Sequence, residues 1–332
     1  MNRAKPVRVW VAGHQGMVGA ALCRKLAAQS GTQLLTCSRQ QLDLTSQAAT
    51  LAFVQQHQPD HIYLAAAKVG GILANSQQPA DFLLQNLQIV TQVVDAAWRC
   101  GVARVMVLGS SCIYPRLAEQ PISEDALLTG ALEPTNEAYA IAKIAGLKLC
   151  QAFNRQYGTD FRTVMPTNLY GPGDHFAPGA SHVIPGLMHR MHLAKVQQQT
   201  ELQVWGSGRP LREFLHVDDL AEALMQLMQL PQADYKQLLG SGPEHLNIGS
   251  DDEVSIADLV QLLAEVVGYQ GRLVFDTSKP DGTPRKRLDC SRIHRLGWRP
   301  TFSLRQGLVH TYQWYLSQAQ HRGVDDASPV VF

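Results

Sequence analysis

The sequence predicts an α/β fold, a doubly wound parallel sheet followed by a smaller α+β lobe in the C-terminal half. Three observations predict it. Short apolar runs alternate with helical stretches through the first half of the chain. The character then changes after Tyr170, where Gly171–Ala180 is rich in Gly and Pro and must be irregular. Finally, 332 residues suffice for one large domain or for a domain with a second lobe.

Taken in order, Val7–Gly13, Leu34–Arg39, His61–Ala67 and Ala103–Ser111 read as strands, being short and apolar between turn residues. Helix-like segments separate them at Val18–Gln29, Ser46–His57 and Ala80–Cys100. A fifth unit adds a helix at Glu137–Tyr157 and a strand at Phe161–Asn168. Such alternation implies right-handed crossovers that cover both faces of a parallel sheet. In the second half, a helix is expected at His182–Lys195 and strands at Leu202–Gly206, Glu244–Ile248 and Arg272–Asp276. A working boundary falls near residue 170, with later strands returning to the first sheet. Arg322–Phe332 lacks periodicity and reads as a loosely ordered tail.

Composition narrows the function classes. Hydrophobic residues make up 45% and charged residues 17%, which suits a packed globular enzyme. With 29 basic and 28 acidic residues the net charge is +1, so no basic field is expected to hold nucleic acid or an anionic membrane. Met1–Val9 has three basic residues but lacks the apolar stretch and cleavage site of a signal peptide. No uncharged apolar run approaches the ~20 residues that span a bilayer. The six cysteines are scattered without a C-x-x-C pair, so neither a metal site nor a disulfide framework is expected, and a reducing cytoplasm is the simplest home.

The first chemical signal is Gly13-His14-Gln15-Gly16-Met17-Val18-Gly19, where the first strand turns into the first helix. Glycines there permit a tight turn and close approach of a dinucleotide pyrophosphate, which would meet the positive end of the helix. The second strand bears on cofactor choice. It ends Cys37-Ser38-Arg39, and no carboxylate follows until Asp43. An arginine there can hold the 2′-phosphate of NADP, which favours NADP(H) over NAD. The alternative for Arg39 is a solvated strand-end charge. Asp43 is placed to reach the adenine edge or to cap the next helix.

The second signal is Tyr139-Ala140-Ile141-Ala142-Lys143. Positions four apart share a helix face, so phenol and ammonium lie side by side, and the ammonium together with a cofactor's positive nicotinamide is expected to lower the phenol pKa. A tyrosine so placed can trade a proton with a sugar carbonyl. Upstream, Leu108-Gly109-Ser110-Ser111-Cys112 puts hydroxyls at the carboxyl edge of the sheet, where open α/β folds bind ligands. The two serines could otherwise be ordinary strand-end hydrogen-bonders. Glycine loop, serine strand end and Tyr–Lys helix follow in one chain order, which makes Ser110, Tyr139 and Lys143 the candidate catalysts.

That order resembles the extended short-chain dehydrogenase/reductases. The stretches AGHQGMVGAAL, YLAAAKVGGI, LGSSCIYP, EPTNEAYAIAKIAG, RTVMPTNLYGP, VWGSGRPLREFLHVDDLA and KPDGTPRKRLD are similar to the GDP-L-fucose synthase family from about Val7 to Leu316. The resemblance implies a Rossmann-type domain over 1–170 that binds NADP and a mainly substrate-binding lobe over 171–320. It also implies 3,5-epimerisation and NADPH-dependent 4-reduction of GDP-4-keto-6-deoxy-D-mannose. Cys112 and His182 would be the epimerising base–acid pair. On the residues alone, Cys112 reads as a small core side chain and His182 as a helix-start or surface histidine. Lys143, Pro166-Thr167-Asn168-Leu169 and His182 would line the nicotinamide half of the cofactor, and Arg190, Trp205, Arg212 and Asp281 the GDP-sugar. Arg190 otherwise reads as an exposed helical charge and Trp205 as a core aromatic. The resemblance further implies a homodimer formed by the two long helices as a four-helix bundle. One departure is Gln15, where the family carries an arginine that helps hold the NADP phosphate, so a reduced preference for NADPH is expected. The rivals are a 4,6-dehydratase or 4-epimerase of the same kind and a non-catalytic dinucleotide sensor.

Overall fold

The computed structural model describes residues 5–177, 181–279 and 281–321. The expected tail at Arg322–Phe332 lies outside the described residues, as do Met1–Ala4 and Pro178–Ala180 of the irregular stretch. In chain order come β1 (Val7–Ala12), α1 (Met17–Ala27), β2 (Thr32–Leu35), α2 (Gln47–His57), β3 (His61–Leu64), α3 (Ile72–Gln77), α4 (Pro79–Arg99) and β4 (Arg104–Leu108). Then follow α5 (Glu137–Tyr157), β5 (Phe161–Pro166), β6 (Asn168–Tyr170), α6 (Val183–Val196), β7 (Glu201–Trp205), β8 (Leu211–His216) and α7 (Val217–Gln229). The chain continues through α8 (Gln232–Leu239), β9 (Leu246–Ile248), β10 (Glu253–Ser255), α9 (Ile256–Val267), β11 (Arg272–Asp276), β12 (Arg285–Lys286), α10 (Ser291–His294) and α11 (Leu304–His321).

Six parallel strands form the main sheet in the order β2-β1-β3-β4-β5-β9. Successive strand residues point to opposite faces. Val9 and Val11 accordingly enter the core beneath α1 and α7, while Trp10 and Ala12 enter the core beneath α2 and α4. Both faces are covered, which explains why these strands are apolar runs rather than alternating ones. Arg24–Asp218 at 2.6 Å and Lys25–Glu222 at 3.0 Å tie α1 to α7 at the rim.

The second strand departs from expectation. It begins at Thr32 and ends at Leu35 instead of running to Arg39. Ser38 donates its N–H and hydroxyl to Gln41 Oε1, each at 3.0 Å, and the Leu42 N–H returns to the Ser38 carbonyl. That turn lifts Cys37–Arg39 off the sheet. β4 also stops early, at Leu108, because the Ser110 side chain accepts the Cys112 N–H and caps a single 3₁₀ turn over Ser111–Ile113.

Sequence reading passed over the β8–α7 unit. No Gly or Pro separates Phe214 from Leu220. The strand-to-helix change is made instead by His216, whose ring accepts the Asp218 N–H, and by Asp218 and Asp219 in the first turn. β8 organises the second lobe, pairing β10 and β12 while β6 also joins it; β7 and β11 form a separate pair. A second core gathers α6, α9, α11 and the inner faces of β7 and β8. The fully buried Glu213 of β8 accepts N–H bonds from Ser250, Asp251 and Leu288 at 2.8, 2.9 and 3.0 Å. Among the described residues, no helix is long and apolar enough to cross a membrane.

Candidate active site

The glycine loop lies where the sheet order reverses between β1 and β3, the crevice in which doubly wound folds bind ligands. Gly13 has φ +90°, and a Cβ there would lie 2.6 Å from the Ala66 nitrogen. A Cβ on Gly19 would lie 2.1 Å from the Gly13 carbonyl oxygen, so the turn closes directly on α1. Gly16 begins α1 without a side-chain cap, so the amides of Met17, Val18 and Gly19 have no preceding helical carbonyl to bond. His14 Nδ1 is buried without a hydrogen-bond partner among the described residues, and Gln15 is exposed beside it. The backbone cradle and uncapped helix end fit a dinucleotide diphosphate. Gly19→Ala should therefore weaken dinucleotide binding by about a hundredfold in a fluorescence titration. Unchanged affinity would separate this loop from the cofactor.

Arg39 stands exposed in the turn after β2, four residues past the strand end. Asp43 does not cap α2. It accepts the Thr45 N–H and hydroxyl at 3.0 and 2.8 Å, which holds its carboxyl below the usual range, while Ser46 caps the helix.

At the end of β4, the Leu108 carbonyl accepts the Lys143 ammonium at 2.9 Å. Gly109 follows where a Cβ would strike Met165 Sδ at 2.1 Å. Ser110 then presents its hydroxyl toward the Cys112 amide, and Ser111 is buried behind it. α5 brings Tyr139 alongside, edge-on to Phe82, with the Lys143 ammonium 5.5 Å from the phenol ring centre. Burial dominates and pushes the Tyr139 phenol up, while it pulls the Lys143 ammonium down to about 8.

Cys112 is buried, and burial raises its thiol against the opposing pull of Lys286, Ser110 and Lys143. His182 sits at the N-cap of α6. Desolvation at the cleft, with His175 and Lys286 nearby, holds its imidazole below the ordinary value. Pro166 ends β5 at the same carboxyl edge. Thr167 donates its N–H to the Ile248 carbonyl, Asn168 gives its amide to the Glu213 carbonyl at 2.9 Å, and Leu169 pairs with Leu215 in β8. This segment stitches the two sheets together, β5 pairing β9 and β6 pairing β8.

The four expected substrate residues gather in the second lobe. Arg190 on α6 donates to the Gln203 carbonyl of β7. Trp205 ends β7 with 67% of its surface exposed and the Lys279 ammonium 5.7 Å from its ring centre, so it is no core aromatic. Asp281 accepts the Ser207 N–H and hydroxyl at 2.8 and 2.6 Å. It also acts on the half-buried Arg212 of β8. An exposed aromatic face under a lysine ammonium, on a lobe that also carries Arg190 and Arg212, suits a nucleoside diphosphate.

Asp174 was not anticipated. It is buried, its Oδ1 accepts the His175 N–H at 2.8 Å, and its Oδ2 has no hydrogen-bond partner among the described residues; burial raises its carboxyl to about 7. A carboxyl with a raised folded pKa favours folding while protonated and costs stability as pH climbs from the unfolded value of 3.8 toward 7. The ligand-free protein should lose up to ~4 kcal/mol through this group over that range. Asp174→Asn should flatten the curve in pH-dependent urea unfolding; parallel curves for both proteins would refute the raised value.

The NAD dependent epimerase/dehydratase family model matches residues 9–249. The chain belongs to this family. Within the epimerase/dehydratase family it is 52% identical to the GDP-L-fucose synthase of Escherichia coli (strain K12) over 317 residues, 95% of this chain and 99% of that one. It is 54% identical to GDP-L-fucose synthase 1 of Arabidopsis thaliana over 318 residues, 96% of each chain. A GDP-mannoheptose C4 reductase from Campylobacter jejuni with NADP bound superposes with TM-score 0.85 at 34% identity, covering 95% of this chain and 100% of that one. Membership makes the chain an NAD(P)-dependent enzyme of the epimerase/dehydratase type. Sequence reading missed Lys286, which bears on both Cys112 and His182. Its position inside Arg285-Lys286-Arg287 reads as a solvated charge run, and only strand alternation at β12 could have separated it from its neighbours.

Proposed function

We propose that the chain converts GDP-4-keto-6-deoxy-D-mannose to GDP-L-fucose by 3,5-epimerisation followed by NADPH-dependent reduction at C4. The observation that carries this reading is identity of 52% and 54% to two GDP-L-fucose synthases over nearly the whole chain. The heptose reductase stands at 34%. Residues 1–170 hold the cofactor, aided by later strands, and 171–320 mainly hold the GDP-sugar.

The C4 ketone acidifies the hydrogens on C3 and C5. Cys112 as thiolate takes such a proton: the C–H bond breaks, an S–H bond forms, and the electron pair moves onto the ketone oxygen. Ser110 and Tyr139 donate hydrogen bonds to that enolate oxygen, which stabilises charge where it develops. His182 returns a proton from the opposite face. In the last step Tyr139 gives its phenol proton to the C4 oxygen. NADPH, when bound over the glycine loop with its ribose on Lys143, supplies the hydride that C4 accepts. Arg190, Trp205, Arg212 and Asp281 hold the GDP moiety away from the chemistry.

The test is oxidation of NADPH by purified protein with GDP-4-keto-6-deoxy-D-mannose, followed by product configuration at C3, C4 and C5. GDP-L-fucose supports the proposal; a product unchanged at C3 and C5 would leave a simple 4-reductase. Arg39 is the one basic residue offered to the adenosine phosphate, given Gln15. NADPH should remain preferred over NADH in kcat/KM, and Arg39→Ala should cut the ratio about tenfold. Equal efficiency in the unmodified chain would sink this assignment. A homodimer through α4 and α5 is part of the proposal, supported by Leu84, Ile141 and Tyr157, which are 57%, 42% and 46% exposed on those helices. Light scattering that gave one chain's mass would reject it. Six free cysteines accord with a reducing cytoplasm.

A further inference from the structure

We propose that Lys286 is a positioning residue for proton abstraction, its ammonium stabilising the thiolate of Cys112 and sharpening His182 as an acid. The proposal deepens the reading of Cys112 and His182 as the epimerising pair and rests on it.

The argument begins with the strand. β12 runs parallel to β8, with Lys286 opposite Arg212. Immediately beyond, the Arg287 carbonyl accepts the Ile122 N–H at 2.8 Å, and Leu288 bridges to Ile122. The segment is thus clamped between β8 and the chain that leaves the Cys112 turn. Side chains alternate along it. Arg285 and Arg287 both turn toward Glu253 on β10, Arg285 in a two-pronged pair at 2.7 and 2.5 Å and Arg287 at 3.9 Å. Alternation sets Lys286 on the opposite face of the strand, and its charge is felt by both Cys112 and His182. Among the described residues no hydrogen bond or ion pair engages its ammonium.

The charges around the thiol are few. From β12 comes Lys286, and from α5 comes Lys143, which is already committed to the Leu108 carbonyl. Around Lys286 stand Cys112, Arg212 and Glu133, and Glu133 is engaged with Arg116 at 3.3 Å. His182 is influenced by Lys286 and His175. A buried thiolate without a cation is costly, whereas a neighbouring ammonium lowers the energy of the anion. The same positive charge makes a protonated imidazole readier to give up its proton. One lysine between the two groups therefore favours both halves of the inversion. In each case the proton lost from carbon goes to sulfur, and the one regained comes from His182; Lys286 itself exchanges none.

The test compares the full chain with Lys286→Met, Lys286→Gln and Lys286→Arg. Thiolate ultraviolet absorbance, taken as the difference between each protein and its Cys112→Ala partner, is followed against pH. The Met and Gln variants should titrate Cys112 at least one pH unit higher, leaving about tenfold less thiolate at neutral pH, and Arg should restore most of it. Solvent deuterium entry at C3 and C5 should fall about tenfold through kcat, with KM little changed. An unaltered thiol titration overturns the proposal, and so does a rise in KM alone, which would assign Lys286 to the substrate diphosphate. If Cys112→Ala still exchanged deuterium at full rate, the base assignment would fail separately, because the titration shift is read without turnover.

Discussion

Tyr139→Phe is expected to lower NADPH oxidation by about a thousandfold, the scale of a lost general acid, while leaving the fold intact. The ring keeps its edge-on contact with Phe82, and only the hydroxyl goes. Burial holds the phenol protonated in the free protein, the form in which it must meet a developing C4 alkoxide. Burial brings the Lys143 ammonium down to about 8. Its positive charge is complete below that pH and lost above it, so turnover should decline on the alkaline side of that value. Lys143→Met should remove the decline together with most of the activity. A Tyr139→Phe enzyme retaining more than a tenth of the rate would move the acid elsewhere.

The second large effect concerns carbon rather than oxygen. Cys112→Ala should cut deuterium incorporation at C3 and C5 by about a thousandfold. Any residual reduction should then yield a 6-deoxyhexose of unchanged C3 and C5 configuration. Alanine removes the thiol and its contact with the Ser110 side chain, while the backbone amide of residue 112 still reaches the Ser110 hydroxyl. Nuclear magnetic resonance of the product in heavy water reads both outcomes. Full exchange in the variant would show that sulfur is not the base.

Local spacing made part of this site legible. The glycine loop and the Tyr139–Lys143 pair each lie within one turn or one strand-to-helix junction, and their geometry follows from chain periodicity alone. Features made by distant segments were not legible. Arg39 read as a strand end because the Ser38–Gln41 turn depends on one glutamine side chain returning to the backbone. The burial that pushes the Tyr139 phenol up was hidden, because a sequence displays the neighbouring ammonium but not what packs around the ring. Lys286 was hidden by its flanking arginines, whose partner Glu253 lies more than thirty residues earlier. The β8–α7 junction lacked punctuation, its stop signal being a histidine ring.

The strand at residues 246–248 has a practical consequence for anyone who cuts the gene. β9 completes the nucleotide-side sheet by pairing with β5, and α7 roofs Val9, Val11 and Val164. Expression of residues 1–170 alone would therefore leave β5 as a bare edge and strip an apolar face, inviting aggregation. The shortest autonomous fragment should extend past Ile248, and limited proteolysis within 171–245 should yield nicked halves that stay associated. During synthesis the first five strands must wait for a segment some eighty residues downstream of β5, which favours a chaperone-dependent or post-translational closure of the sheet.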